Sequence, residues 1–299
     1  MDQVDLGVLK ALLVNNGVPP GVPILRKSLR SIAKDLGVDQ STVRSRIRRF
    51  RDQGVLKGWR LGTNPGTKGQ HVGQVWLRVR RESDKGSMIN VLLSSKEIER
   101  VCNYFGPTLS FVFLFDGENA PQPIIERLLK DLGPAVRVLR QGVIPVPKRA
   151  LKDTDILIIG SLQKDPWKPY ARVAEEVRAS PKTVARRMAK MSEEGAIYML
   201  PVVDLKMLQG IIPAELVVEF SSPESRSDAN AQIVARIGQR LVFSDTGSPY
   251  GYFALLVENL SQLEQLAEWC TERRGVQGIR VGALQDVILS KKHYQDPLK

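Results

Sequence analysis

The sequence predicts an α+β chain built from one composite unit that occurs twice: three helices and a strand, followed by a βαββαβ segment. Three observations lead there: an internal repeat, a change of hydrophobic period after Gly69, and an arginine-rich third helix in the first copy. The repeat is clearest between residues 32–56, IAKDLGVDQSTVRSRIRRFRDQGVL, and residues 173–197, VAEEVRASPKTVARRMAKMSEEGAI. At an offset of 141 they share Ala33/Ala174, Thr42/Thr183, Val43/Val184, Arg46/Arg187 and Gly54/Gly195. Apolar residues align at Ile32/Val173, Leu36/Val177, Ile47/Met188, Phe50/Met191 and Leu56/Ile197. Self-similarity at a fixed offset is the mark of a duplicated structural unit. The offset continues to Gly69/Gly210 and to the apolar stretches 74–79 and 215–220. Upstream, Asp5 and Asp155 begin similar stretches, and the nine extra residues of copy one fall in the Gly/Pro-rich loop 15–23.

In copy one, apolar residues at helical spacing predict a first helix from about Val4 to Val14. The second runs from an N-cap at Ser28 to Leu36, with Gly37 as the left-handed stop. Asp39 caps the third, which Gly54 ends. Copy two repeats this grammar: Pro169 in a first turn, Ser180-Pro181 as N-cap and first helical residue, and a third helix ending at Gly195. Two short helices joined by a tight turn, the second rich in positive charge, form a helix-turn-helix. Residues 55–61 and 196–203 then read as the following strand or wing.

After Gly69 the expected strands are 72–79, 98–105, 109–115 and 135–146, with helices near 87–93 and 122–132. Copy two gives strands 211–220, 241–245, 252–257 and 279–289, with helices near 228–237 and 260–273. This order is the ferredoxin-like arrangement. The expected domains are therefore a winged helix-turn-helix at 1–65, a ferredoxin-like unit at 70–150, a second winged helix-turn-helix at 151–205 and a second ferredoxin-like unit at 210–299.

Composition narrows the function. With 299 residues, 42% apolar and 25% charged, the chain has a globular profile and ample length for several cores. No apolar run reaches the length of a membrane span. Cys102, Cys270, His71 and His293 are too few and too scattered for a Cys/His metal cage or a disulfide framework. The acidic opening Met1-Asp2-Gln3-Val4-Asp5 lacks a signal-peptide layout, so the expectation is a cytoplasmic protein with reduced thiols and neither metal nor cofactor. Of the net charge of +12, residues 1–80 contribute +10, from 15 basic against 5 acidic residues. Residues 211–299 are slightly acidic. A basic block at one end of a near-neutral body points to a polyanion bound there.

A wheel at 100° per residue puts Val43, Ile47 and Phe50 on the buried side of the third helix. Ser41, Ser45, Arg48 and Arg49 point outward, flanked by Gln40 and Arg44. Five arginines lie between Arg44 and Arg51, and only Asp52 answers them, whereas a merely solvated helix interleaves Glu with Arg. Arginine reads guanine O6 and N7 through two hydrogen bonds, and serine suits phosphates or base edges. Gln40, Ser41, Arg44, Ser45, Arg48 and Arg49 are thus the expected contacts to double-stranded DNA, with Arg51, Lys57 and Arg60 as phosphate contacts. Arg46, shared with Arg187 and beside the buried stripe, reads as a structural or phosphate-anchoring residue. In copy two, Lys182, Arg186 and Lys190 form a weaker candidate surface among Glu175, Glu176, Glu193 and Glu194.

Asp5-Leu6-x-x-Leu9, residues 31–59 and the trailing Gly69 resemble the DNA-binding domain of the Lrp/AsnC (feast/famine) transcriptional regulators. The βαββαβ segments resemble that family's effector-binding and oligomerisation domain, so the resemblance covers nearly the whole chain, twice. It implies sequence-specific DNA binding through residues 41–49 and assembly through the ferredoxin-like sheets, as a homo-oligomer or, here, as an intramolecular pseudo-dimer. The family's Gly-x-x-Asp effector loop is replaced by YFGPTLSF (104–111) and DTGSPYGYF (245–253), without its acidic residue. Gly106 and Gly247 therefore read as turn residues, and an amino-acid effector is left open. Two other classes share parts of this pattern. An architectural protein binding DNA without sequence preference would carry the same basic block. A tetrapyrrole (siroheme) decarboxylase, built from the same domains, would want histidines or arginines converging in a sheet pocket. Trp59, Trp76, Trp167 and Trp269, one to an element, read as packing residues.

Overall fold

The computed structural model describes residues 1–13, 29–117, 120–144, 146, 148, 150–163, 165–245 and 250–290. Helices α1 (Gln3–Leu13), α2 (Leu29–Leu36) and α3 (Gln40–Asp52) precede strand β1 (Leu56–Thr63). Then come β2 (Gln70–Val79), α4 (Lys85–Ser94), β3 (Ile98–Tyr104), β4 (Thr108–Asp116), α5 (Gln122–Leu132) and β5 (Val136–Ile144). The same order follows again: α6 (Asp153–Leu162), α7 (Tyr170–Glu176), α8 (Pro181–Glu193) and β6 (Ile197–Val203). After these lie β7 (Ile212–Phe220), α9 (Pro223–Ile237), β8 (Leu241–Asp245), β9 (Tyr250–Val257), α10 (Leu260–Thr271) and β10 (Val276–Leu289).

The punctuation is where the residue chemistry puts it. Gly37, Gly54 and Gly195 take left-handed φ values of 64°, 72° and 62° after α2, α3 and α8. Ser180 Oγ accepts the Thr183 N–H at 3.0 Å, with Pro181 in the first position of α8. Three details differ from expectation. Asp39 stands at the N-cap of α3 without a side-chain hydrogen bond. Pro169 is the N-cap of α7 and not a first-turn residue. Helix α9 begins five residues early, because Ser222 at the N-cap and Ser225 at N3 form a reciprocal capping pair around Pro223. The expected N-cap Ser28 and the loop 15–23 lie outside the described residues.

The βαββαβ halves join in one eight-stranded sheet of order β5-β2-β4-β3-β10-β7-β9-β8. Strand β10 makes the join: Val276–Ala283 pairs with β7, and Leu284–Leu289 turns to pair with β3. Each half covers one sheet face with its own helices, around Leu77, Phe111 and Leu128 in the first and Leu216, Phe253 and Leu266 in the second. Opposite those helices Trp76, Cys102 and Tyr104 of the first half pack on Val217, Tyr250 and Leu284 of the second. Trp76 and Tyr250 meet edge to face at 5.6 Å.

That seam holds a buried carboxylate. Glu215 is 1% exposed and accepts hydrogen bonds from the phenols of Tyr104, across the seam, and Tyr252, at 2.5 Å. Burial raises its carboxyl above the ordinary 4.5, against the two phenols, which favour the ionised form. A raised native value means the folded chain holds this proton to higher pH than the unfolded chain. Stability is therefore expected to fall as pH climbs from 4.5 to the raised native value. Glu215→Gln should flatten that part of a melting-temperature-against-pH curve; an unchanged slope would assign it to other groups.

The three-helix units meet through their strands. β1 and β6 form a two-stranded antiparallel sheet, pairing Trp59 with Pro201, Leu61 with Met199 and Gly62 with Tyr198. Residues of α1, α2 and α3 enclose Val8, Leu9, Ile32, Val43 and Phe50, and this core runs on to Ile211 and Leu256 of the second βαββαβ half. The core of α6–α8 takes in Leu61 from β1. Each three-helix unit is thus fastened to the other half of the chain. A methyl group on Gly62 would lie 2.2 Å from the half-buried Tyr198 ring. Gly62→Ala is expected to lower stability by roughly 1–3 kcal/mol, read from a denaturant melt; a neutral result would remove the pairing's structural weight.

Candidate nucleic-acid interface

Helix α3 lies on its core through Val43 and Phe50, which are 0% and 1% exposed. Gln40, Ser41, Arg44, Ser45, Arg48 and Arg51 are all exposed, so the outward row expected from the wheel is presented to solvent. Arg49 is not in that row. Its guanidinium turns back onto Asp5 of α1, and 42% of its side chain remains accessible. Arg46 joins the same carboxylate at 3.1 Å and reaches Asp2 at 2.9 Å. Asp5 itself is 1% exposed. One buried acid therefore holds two arginines of α3 and sets that helix against α1.

Helices α6 and α8 show the same device with one arginine. Asp155 of α6, also 1% exposed, takes Arg187 Nε at 2.5 Å together with a second bond from the guanidinium. A buried carboxylate is tolerable only when paired and hydrogen-bonded in this way. The sequence pairs Asp5 with Asp155 at an offset of 150 and Arg46 with Arg187 at 141, but nothing local says that each acid meets its arginine.

Of the other expected contacts, Lys57 is exposed but paired with Asp204 of the second copy at 2.6 Å. Arg60 is half-buried within β1. On α8, Lys182, Arg186 and Lys190 are exposed, and Lys190 pairs with Glu194 at 3.5 Å. Glu176 is occupied by Lys168 at 2.9 Å and Ser161 at 2.6 Å, and Glu175 by Arg172 at 3.3 Å. Such exposed pairs contribute little to stability, yet they reduce the negative field around α8.

Trp167 lies in the turn before α7 and not in a helix or strand; it is 41% exposed and meets Trp59 edge to face at 5.4 Å. Gly106 has φ 75° in the β3–β4 turn, as a turn residue requires. Gly247 and His293 lie outside the described residues. His71 Nδ1 accepts the Val146 N–H at 2.8 Å and its ring rests on Phe115, so it ties down the link between the copies. Among the described residues no group of three or more His, Cys, Asp or Glu is placed to hold a metal ion, and no helix is long and apolar enough to cross a membrane.

A three-helix unit whose third helix is held to its first by a buried acid is thus present at α6–α8, as at α1–α3. Residues 151–192 match the AsnC-type helix-turn-helix domain. The AsnC-type stretch covers α6, α7 and nearly all of α8. The HTH-type transcriptional regulator Ptr1 of Methanocaldococcus jannaschii is 23% identical over 146 residues, spanning 49% of this chain and 84% of that protein. Among solved structures, the siroheme decarboxylase NirDL superposes with a TM-score of 0.52 at 11% identity, over 99% of this chain and 96% of that one. The same enzyme in co-complex with an iron-uroporphyrin III analogue gives 0.53 at 11% identity, over 97% and 94%. At that identity the likeness shows the fold alone.

Proposed function

We propose that the chain is a sequence-specific, DNA-binding transcriptional regulator of the Lrp/AsnC type, a tandem duplication that works as an intramolecular pseudo-dimer. The observation that carries this reading is the exposed row Gln40, Ser41, Arg44, Ser45 and Arg48 on α3, a helix fixed from behind by Asp5. Guanidinium groups and small hydroxyls on a rigid helix suit base edges in a major groove, and Arg51 at its end suits a phosphate. Arg49 supports the helix instead of reading bases. The AsnC-type match and the likeness to Ptr1 support the reading. The ferredoxin-like halves act in assembly, with double-stranded DNA as partner and a small-molecule effector as an optional one.

NirDL shares the architecture, but a shared fold carries no chemistry by itself. His71, the histidine within the described residues, spends Nδ1 on a backbone N–H. The test is fluorescence anisotropy of labelled duplexes with the full chain. Binding that prefers one genomic fragment supports a regulator, and equal binding to all fragments supports an architectural protein. If no duplex binds at low salt, the reading fails, and a bound tetrapyrrole sought by absorbance becomes the next experiment.

A further inference from the structure

The pairing of β1 with β6 contains a symmetry that the side chains on α3 and α8 break. In the ladder Trp59 faces Pro201, Arg60 faces Leu200, Leu61 faces Met199, Gly62 faces Tyr198 and Thr63 faces Ile197. By the repeat offset of 141, Pro201 is the counterpart of Arg60, and Leu200 the counterpart of Trp59. Each strand therefore meets its own copy in a dyad-related register, centred between positions 59 and 60. Two helix-turn-helix units related by a local twofold suit two inverted half-sites spaced by one helical turn (~10 bp) or a multiple of it. In a homodimer the two helices are identical and the operator is palindromic.

Here they are unlike. At matched outward positions α3 carries Gln40, Ser41, Arg44, Ser45 and Arg48 where α8 carries Pro181, Lys182, Ala185, Arg186 and Ala189. The two arginines best placed to read guanine correspond to two alanines, whose methyl groups offer a base nothing but apolar contact with thymine. Arg186 is the one guanidinium on the exposed row of α8, and Lys182 is a point charge suited to phosphate. Glu194, paired with Lys190, holds that third cation on the helix.

We infer that one chain binds, as a monomer, a non-palindromic duplex site: an α3 half-site strongly constrained at guanines, and an inverted α8 half-site held mainly through its phosphates. This rests on the DNA reading of α3 proposed above and adds the form of its target.

The experiment selects sequences from a randomised duplex library with the full chain, then measures stoichiometry on the selected duplex by sedimentation. One chain per duplex and a motif with one sharp and one diffuse half are expected. Lys182→Ala with Arg186→Ala should weaken binding tenfold or more, about equally on the selected and a random duplex, and lower the salt slope by about 2. A palindromic motif with two chains per duplex would overturn the inference while leaving α3 as the reader. So would an affinity and salt slope unmoved by the α8 substitutions. Failure of the unsubstituted chain to enrich or bind any duplex removes the α3 reading itself.

Discussion

Alanine at Arg44 and Arg48 together is expected to lower affinity for the preferred duplex about thirty-fold or more, with the melting temperature essentially unchanged. Each bidentate arginine–guanine pair discriminates by about 1–3 kcal/mol, and tenfold in affinity corresponds to about 1.4 kcal/mol. Both side chains are exposed on α3, and neither forms part of the Asp5 cluster. The measurement is anisotropy on the selected and a random duplex: binding to the selected duplex should fall towards the random level. If both affinities stay as they were, α3 is not the reading helix. Arg49→Ala is deliberately not part of this test. It removes a partner of a buried acid, so its effect on binding would be mixed with an effect on folding.

The second large effect is on stability. Arg187→Ala leaves Asp155 buried among α6–α8 without its guanidinium, a loss expected to cost about 3–5 kcal/mol. At about 2–4 °C per kcal/mol for a domain of 150–250 residues, the melting temperature should drop by roughly 10 °C. Replacing the pair together, Asp155→Leu with Arg187→Met, should recover most of that loss, because an apolar pair of similar volume asks for no counter-charge. Arg46→Ala is expected to do less damage, since Asp5 retains Arg49. Equal losses from Arg187→Ala and Arg46→Ala would show that Arg49 does not share the load.

How much of this could be read beforehand follows from which forces are local. Helix α5 and strand β8 occupy the residues expected from periodicity and turn chemistry, Gln122–Leu132 and Leu241–Asp245. The glycine stops after α2, α3 and α8 were legible because only glycine takes those φ values cheaply. The partner of a strand is another matter. Nothing in the residues 56–63 or 197–203 says that they pair with each other, since alternation specifies a face and not a neighbour. Nor could periodicity show β10 bending from β7 to β3, or Tyr104 and Tyr252 converging on Glu215 from opposite halves. Within the candidate site the outward row of α3 was legible from its wheel. The turn of Arg49 onto α1 is not legible from a wheel, which knows only its own helix, and the acid that recruits Arg49 sits 44 residues earlier. The turn at Trp167 is signalled locally by Asp165, whose side chain accepts the Trp167 backbone N–H at 3.0 Å.

The most direct test of the central proposal is a salt titration of affinity for genomic fragments, including the chain's own upstream region, against a random duplex. A DNA-reading regulator should show a steep fall of affinity with salt and one fragment favoured about a thousandfold or more. The same steep fall with every duplex bound alike would contradict sequence-specific reading by α3, and no binding at low salt would contradict DNA binding altogether.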